Sequence, residues 1–159
     1  MSVTRPSKKK RQLIIGSATL LLGTTMLTGC GTEAVKMVTD QNGVKSEMVL
    51  VSKDNRVIEQ YGSNTIDFQK MGANADAIKG AIYDYQQKTK DLAGVEYRYA
   101  VGNSKALEYT EVNFDEADLN KLKELDILQG DSTDADKTDF VDLQKTIDAL
   151  EKIGYTKEQ

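Results

Sequence analysis

The chain has 159 residues, of which 39% are hydrophobic and 29% charged, proportions typical of one globular domain. It contains no histidine and one cysteine, so it lacks the commonest general base, the commonest transition-metal ligand and any internal disulfide. The formal net charge of −4 becomes −9 over residues 30–159, because the first twelve residues carry five basic side chains and no acidic one. This acidity argues against nucleic acid and anionic lipid headgroups as partners of the domain surface.

Residues 1–29 have the pattern of a secretory signal peptide. After the basic head, fifteen residues from Leu13 to Leu27 carry no charge, a run shorter than the roughly 20 apolar residues of a membrane span. The following Thr28-Gly29-Cys30 completes, with Leu27, a sequence that resembles the lipobox of bacterial lipoproteins. The alternative is an inert, buried cysteine that follows an ordinary signal peptide.

The lipobox resemblance implies that a signal peptidase recognises Leu27, Thr28 and Gly29 and cuts before Cys30, whose sulfur carries a diacylglyceryl group. Two acyl chains hold a protein on a bilayer far better than one. The expected partner is therefore the membrane, reached through Cys30. The expected location is the outer face of the cytoplasmic membrane, or the outer membrane if the host has one. Residues 30–33 form the lipid-bearing N-terminus and a short tether.

Residues 34–68 are predicted to form a three-stranded antiparallel meander. Apolar and polar residues alternate in "AVKMVT", in "KSEMVLVSK" and in the segment that begins "VIEQY". Asn42-Gly43 favours a tight hairpin turn, since both residues tolerate positive φ, and residues 54–56 supply the second turn.

The periodicity then changes to that of a helix, which is followed by a hairpin. The helix is expected to begin near Asn74 or Asp76 and to stop at Gly94, with one apolar face made by Ile78, Ile82, Tyr85 and Leu92. In "VEYRYAV" the alternation predicts a half-buried strand with Val95, Tyr97, Tyr99 and Val101 on one face. "GNSK" turns the chain and "ALEYTEVNF" returns it.

The last third is acidic and predicted to contain two helices. Asp115 is placed to cap the first, whose apolar face is Leu119, Leu122 and Leu125. The second has an apolar face of Phe140, Leu143, Ile147 and Leu150, and ends at Gly154 with Tyr155 folding back onto it. The expected fold is α+β, with residues 34–159 forming one domain. The meander and the hairpin form the antiparallel sheet of this domain, and about three helices pack on it.

Several segments together resemble the YehR-type family of small bacterial lipoproteins. They are "VIEQYGSNTIDFQKMGA", "KTKDLAGVEY", "LEYTEVNFDEADLNKLKEL" and "LQKTIDALEKIGYTK", and the resemblance extends from Val35 to Lys157. It implies an α+β domain with an antiparallel sheet. It implies no activity and supplies no catalytic residues.

Residues 131–139 contain four aspartates and raise the question of a calcium loop. With Asp134 as the first loop position, the sixth would be Asp139 in place of glycine and the twelfth Lys145 in place of glutamate. We therefore expect a solvated linker in which Asp136 or Thr138 caps the next helix, and no metal site.

Two other groups of residues are candidate sites. Five tyrosines fall within the central helix and the hairpin, where they suit a sheet face or core and, as the second interpretation, a recognition surface; they are Tyr83, Tyr85, Tyr97, Tyr99 and Tyr109. A glycosidase-like acid and base pair would have to come from Glu96, Glu108 and Glu111. Alternating charges across a hairpin are more often a solvent face with cross-strand pairs.

The sequence thus predicts a membrane-anchored lipoprotein with a non-catalytic binding or envelope-interaction role and no cofactor. The expected partner besides the membrane is an envelope protein or a small ligand. The alternative is a small cell-envelope hydrolase that uses acidic residues.

Overall fold

The computed structural model describes residues 31–128 and 140–158. Within these ranges the chain forms seven strands and four helices. In chain order they are β1 (Thr32–Gln41), β2 (Val44–Lys53), β3 (Arg56–Asp67), α1 (Phe68–Met71), α2 (Ala75–Thr89), β4 (Val95–Val101), β5 (Lys105–Asn113), α3 (Leu119–Glu124), β6 (Val141–Asp142), α4 (Leu143–Lys152) and β7 (Thr156–Lys157).

The first three strands form the predicted antiparallel meander. β1 pairs with β2 along its whole length, and β2 pairs with β3. Asn42 and Gly43 have φ of 52° and 81°, the positive values that a type I′ turn requires at both central residues. β1 begins at Thr32, two residues earlier than expected, so that in the sequence only Gly31 separates it from Cys30.

The seven strands of the described ranges belong to one antiparallel sheet, which confirms the α+β class. The order is β4-β5-β3-β2-β1-β7, with β6 paired to the first residues of β3. The predicted hairpin of β4 and β5 joins the meander because β5 pairs with β3 over nine residue positions.

The helices cover one face of the sheet, here called the inner face, in two separate clusters. The larger cluster packs Leu122 of α3 and Leu150 of α4 against β1 and β2, where Met37 and Leu50 are fully buried. The smaller cluster combines residues of α1, α2, the end of β3 and the start of β5; its buried members are Ile66, Phe68, Ile78, Ile82 and Ala106. The two clusters leave the middle of the inner face between them.

Helix α2 begins as predicted but ends earlier. The Asn74 side chain caps it by accepting a hydrogen bond from the backbone amide of Asp76 at 2.8 Å. The helix stops at Thr89, whose hydroxyl bonds the carbonyl of Tyr85 at 2.9 Å, so Leu92 lies beyond its end. Gly94 does not end the helix but brings the chain close to β5, where an added Cβ would lie 2.6 Å from the carbonyl oxygen of Asn113.

The cap predicted for α3 is wrong. The Asp118 carboxylate caps the helix and accepts hydrogen bonds from the backbone amides of Asn120 and Lys121 at 3.0 and 3.3 Å. Asp115 instead pairs with Arg56 at 2.7 Å. The reason is a turn at residues 114–116, which postpones the first helical residue by one turn.

Helix α4 is also capped by a different residue from the one expected. The Asp142 carboxylate accepts a hydrogen bond from the amide of Lys145 at 2.9 Å, while the predicted caps, Asp136 and Thr138, lie outside the described residues. Phe140 precedes the helix and is 37% exposed, because residues 141–142 first pair with β3.

The C-terminal end of α4 agrees with the prediction. Gly154 has φ of 95°, and the amide of Tyr155 donates to the carbonyl of Leu150 at 3.0 Å. Tyr155 therefore folds back and packs against the larger cluster. None of the helices in the described ranges is long and apolar enough to cross a membrane.

Candidate functional site

Two of the sequence-predicted sites fall outside the described residues. These are the lipidation segment, with Leu27, Thr28, Gly29 and Cys30, and the acidic segment 131–139.

The three candidate carboxylates of the hairpin do not meet on one face. Glu96 and Glu111 are directly opposite each other across β4 and β5, on the outer face of the sheet, where Glu96 pairs with Arg98 at 3.1 Å. Glu108 is three residues before Glu111 on β5, so its side chain lies on the inner face.

The tyrosines divide between the two faces. Tyr85 of α2 and Tyr97 of β4 are in edge contact on the inner face, with ring centroids 4.7 Å apart. On the outer face the guanidinium of Arg98 lies 4.5 Å from the ring centroid of Tyr109. Tyr83, on the solvent side of α2, is 55% exposed. Tyr99 also lies on the inner face, directly opposite Glu108 across β4 and β5, but its hydroxyl donates to the side chain of Gln86 at 3.2 Å. Of the five tyrosines, Tyr97 is the one whose hydroxyl donates to Glu108.

An open cleft of about 250 Å³ occupies the middle of the inner face, between the two hydrophobic clusters. Its lining combines polar side chains of β3 and β5 with three tyrosines and the segment after α3. The residues that carry its chemistry are Gln60, Gly62, Asn64, Tyr85, Tyr97, Glu108, Thr110, Asp126 and Tyr155, with Met48 and Ile127 as apolar neighbours.

The cleft exists because the middle of β3 places small and polar residues inward. The pairing of β2 and β3 shifts register between Val51 and Ser52, so that Ile58 is an extra residue on β3. This bulge moves Gln60 and Asn64 to the inner face, and Gly62 between them has no side chain to fill the space.

Hydrogen bonds hold Glu108 within the cleft. Its carboxylate accepts one from the Tyr97 hydroxyl and one from the side-chain amide of Asn64, the latter at 3.3 Å. Burial, together with the charge of Glu108, raises the pKa of Tyr97 well above its usual range and that of Tyr85 to about 12. Both phenols therefore stay protonated at neutral pH.

Gln60 differs from these residues because its side chain has no hydrogen-bond partner within the described ranges. It is only 6% exposed, and among the described residues none makes a hydrogen bond to its amide group. Its amide lines the cleft, where it is available to bond a molecule that enters the opening.

A second hollow, of about 170 Å³, lies between the segment after α2 and α3. Its acidic side chains are at the surface, and Asp118 there is already engaged as the cap of α3. It is smaller than the inner-face cleft and has no comparable buried polar group.

Reasoning from the sequence missed Gln60, Asn64 and Asp126. A signal was present in "EQYGSN", where the apolar alternation of β3 stops for six residues before it resumes at Ile66. Asp126 follows α3 with φ of 54°, and only the folded chain brings it opposite β3 and β5.

The fold and the cleft define the chain as a small α+β domain with helices on one sheet face and a polar opening beneath them. The chain belongs to the family described as a protein of unknown function (DUF1307), whose model matches residues 33–156.

Relatives from two bacterial genera carry the word lipoprotein in their names. The chain is 26% identical over 148 residues to the uncharacterized lipoprotein Lmo0207 of Listeria monocytogenes, covering 88% of this chain and 93% of that one. It is 28% identical over 115 residues to the uncharacterized lipoprotein YehR of Escherichia coli K12, covering 70% and 74%. These names agree with the lipoprotein class that the N-terminal segment predicts.

Two solved structures share the fold. The solution structure of E. coli YehR matches with a TM-score of 0.66 at 18% identity, over 81% of this chain and 92% of that one. A solution structure of a protein from Streptococcus pneumoniae TIGR4 matches with a TM-score of 0.53 at 14% identity, over 99% of this chain and all of the other.

Proposed function

We propose that the chain is a lipid-anchored envelope protein whose domain binds a small ligand in the inner-face cleft without chemical conversion. The observation that carries this proposal is the cleft itself. A sheet covered by helices is normally packed to the density of an organic crystal, yet here the centre of the interface is open and polar.

The energetic cost of this opening supports a binding role. Replacing Gln60, Gly62 and Asn64 by apolar residues would join the two hydrophobic clusters into one core. The chain instead retains Gln60, whose side chain has no hydrogen-bond partner among the described residues, and a ligand in the cleft can supply that partner. A volume of about 250 Å³ is near the small end of ligand pockets and fits a compact molecule.

The absence of conversion is supported by the chemistry available. The chain has no histidine, and its single cysteine is the lipidation candidate. Glu108 is engaged by Tyr97 and Asn64, an arrangement that fixes a carboxylate for recognition.

The binding proposal is tested by filling the cleft. An added Cβ at Gly62 would have Thr110 as its nearest neighbour, at 3.9 Å, so Gly62→Leu should be accommodated while its side chain occupies the opening. Ser63→Leu, on the outer face of the same strand, is the matched control. We would screen a library of small polar metabolites by nuclear magnetic resonance and map the shifted amides.

We expect at least one compound to shift the amides around Gln60 and Gly62, to lose that effect in Gly62→Leu and to keep it in Ser63→Leu. Mass spectrometry should recover the compound unchanged. If no compound shifts the cleft amides, the binding role is wrong. If the compound returns cleaved, the hydrolase alternative replaces it.

The anchor rests on Cys30 as the attachment point, and the lipoprotein names of the relatives support it. We place the lipidated protein on the outer face of the cytoplasmic membrane, or in the outer membrane of a host that has one. Cys30→Ala should abolish lipidation and membrane retention without changing the fold, as checked by fractionation, intact mass and circular dichroism. Membrane retention of a variant shown to lack both acyl chains and leader would refute the anchor.

A further inference from the structure

The charges that line the cleft are of one sign. Glu108 lies within it and Asp126 at its border, whereas none of the described residues that line it is a lysine or arginine. Glu47 also reaches the lining, but its carboxylate is paired with Lys36 and Lys45 at 3.2 and 3.1 Å. An anionic ligand would therefore meet repulsion, and a cation would meet two carboxylates that form no ion pair with any lysine or arginine in the described part of the chain.

The aromatic lining favours the same sign. The rings of Tyr85 and Tyr97 form an edge contact at 4.7 Å, and Tyr155 lies on the other side of the opening. Faces of tyrosine rings attract ammonium groups, more strongly where water is excluded.

The polar side chains that line the cleft can accept hydrogen bonds from N–H groups. A carboxylate offers about four lone-pair sites, of which Tyr97 and Asn64 occupy two on Glu108. The buried side-chain amide of Gln60, which has no partner among the described residues, offers a carbonyl oxygen a short distance along the same face. No group of three or more His, Cys, Asp or Glu side chains in the described part of the chain is arranged to hold a metal ion.

We propose that the cleft binds a small organic cation that carries a primary ammonium group, with Glu108 as its counter-ion and Gln60 as a hydrogen-bond acceptor. This inference rests on the proposed function, since it names the ligand class of the same cleft. It adds that the ligand is positively charged and that Glu108 binds the charged group.

The test compares three probes of similar size but different charge: butylammonium, a cation; butanol, which is neutral; and butyrate, an anion. Each is titrated by nuclear magnetic resonance into the full-length protein in detergent micelles, and the side-chain amide signal of Gln60 is followed. We expect saturable binding of butylammonium and at least about tenfold weaker binding of the other two, since a hydrogen bond to a charged group typically contributes that much.

Two variants identify the residues responsible. Glu108→Gln should weaken butylammonium at least about tenfold, whereas Glu111→Gln, three residues along β5 on the outer face, should not change it. Asp126→Asn retains a residue that tolerates positive φ, so it removes charge at the border without backbone strain and should weaken binding severalfold even if Glu108→Gln fails to fold.

The outcomes separate this inference from the proposal beneath it. If butanol or butyrate shifts the Gln60 signal as strongly as butylammonium, the ligand is not a cation, while binding in the cleft still stands. If butylammonium causes no shift, or if Glu111→Gln weakens it as much as Glu108→Gln, the ammonium site is refuted. Failure of the metabolite screen would instead refute the binding role as a whole.

Discussion

Gly94 and Gly72 have nearly the same positive φ in very different surroundings. Their φ values are 69° and 65°. A Cβ added at Gly94 would lie 2.6 Å from the carbonyl oxygen of Asn113, a backbone atom, whereas one added at Gly72 would have nothing within 4 Å. The pair therefore separates the cost of left-handed conformation from the cost of a steric clash.

We expect Gly72→Ala to lower the free energy of unfolding by about 1 kcal/mol, the cost of the left-handed region for a residue with a Cβ. Gly94→Ala should lower it by about 3 kcal/mol or more, since the backbone of β5 must also move. Urea denaturation of the two variants measures both values. Equal losses would show that the chain does not approach β5 as closely as described.

Tyr85 makes the free energy of unfolding of the domain depend on pH in the alkaline range. Burial, and to a smaller extent the charge of Glu108, raises its pKa to about 12, compared with about 10 in an unfolded chain. The folded state therefore holds the phenol proton more tightly. The stabilisation from this residue is complete below about pH 10 and is lost as the pH rises toward the folded pKa.

The free energy of unfolding should consequently fall between pH 10 and 12, and fall less in Tyr85→Phe, which has no proton to lose. Denaturant titrations at several pH values, read by circular dichroism, measure the difference in slope. If the free energy of unfolding changes with pH in the same way in both proteins, Tyr85 is not desolvated between α2 and the sheet.

At the scale of elements, α4 has the largest share in closing the main cluster. Leu143, Ile147 and Leu150 repeat at helical spacing and are all buried, with Leu150 at 0% exposure. Its packing partners on β1 and β2 belong to strands far away in sequence, so the helix holds the two ends of the domain together.

Leu150→Ala should lower the free energy of unfolding by about 2–5 kcal/mol, as deletion of a buried leucine side chain does. Leu107→Ala is the matched control: Leu107 is 54% exposed on β5, and its loss should stay within about 0.5 kcal/mol. Thermal or urea denaturation decides. A small loss for Leu150→Ala would contradict the packing of α4 on the sheet.

The local features of the fold were predictable from the sequence, and the non-local ones were not. Asn42-Gly43 and Asn74 act within a few residues of themselves, so their turn and cap follow from intrinsic conformational preference. The pairing of β3 with β5, and the two-residue strands β6 and β7, depend on contacts that no local pattern encodes.

The cleft illustrates the same limit more sharply. The extra residue at Ile58 changes which side chains of β3 point inward, so simple alternation misassigns Gln60 and Asn64. The sequence marks Glu108 as a candidate but groups it with Glu96 and Glu111. Glu108 and Glu111 are three positions apart on one strand, so their side chains lie on opposite faces of the sheet.

At the scale of the whole molecule, the position of β1 sets the orientation of an anchored domain. In the sequence only Gly31 lies between Cys30 and the first strand residue. Two extended residues reach about 7 Å, so the sheet end at which β1 starts must lie next to the bilayer if Cys30 is lipidated. The turn at Asp54 and Asn55 shares this end, because Thr32 pairs with Lys53.

The opposite end of the sheet carries the turn at Asn42 and Gly43 and lies one strand length away, about 30 Å for ten residues. We therefore predict that, with the lipidated protein in nanodiscs containing a paramagnetic lipid headgroup, the amide signals of Asp54 and Asn55 broaden strongly while those of Asn42 and Gly43 persist. Cys30→Ala, which has no acyl chains, is the control and should show no broadening at either turn. Equal broadening at both turns would mean that the sheet lies flat on the membrane, and stronger broadening at Asn42 would mean that Cys30 is not the point of attachment.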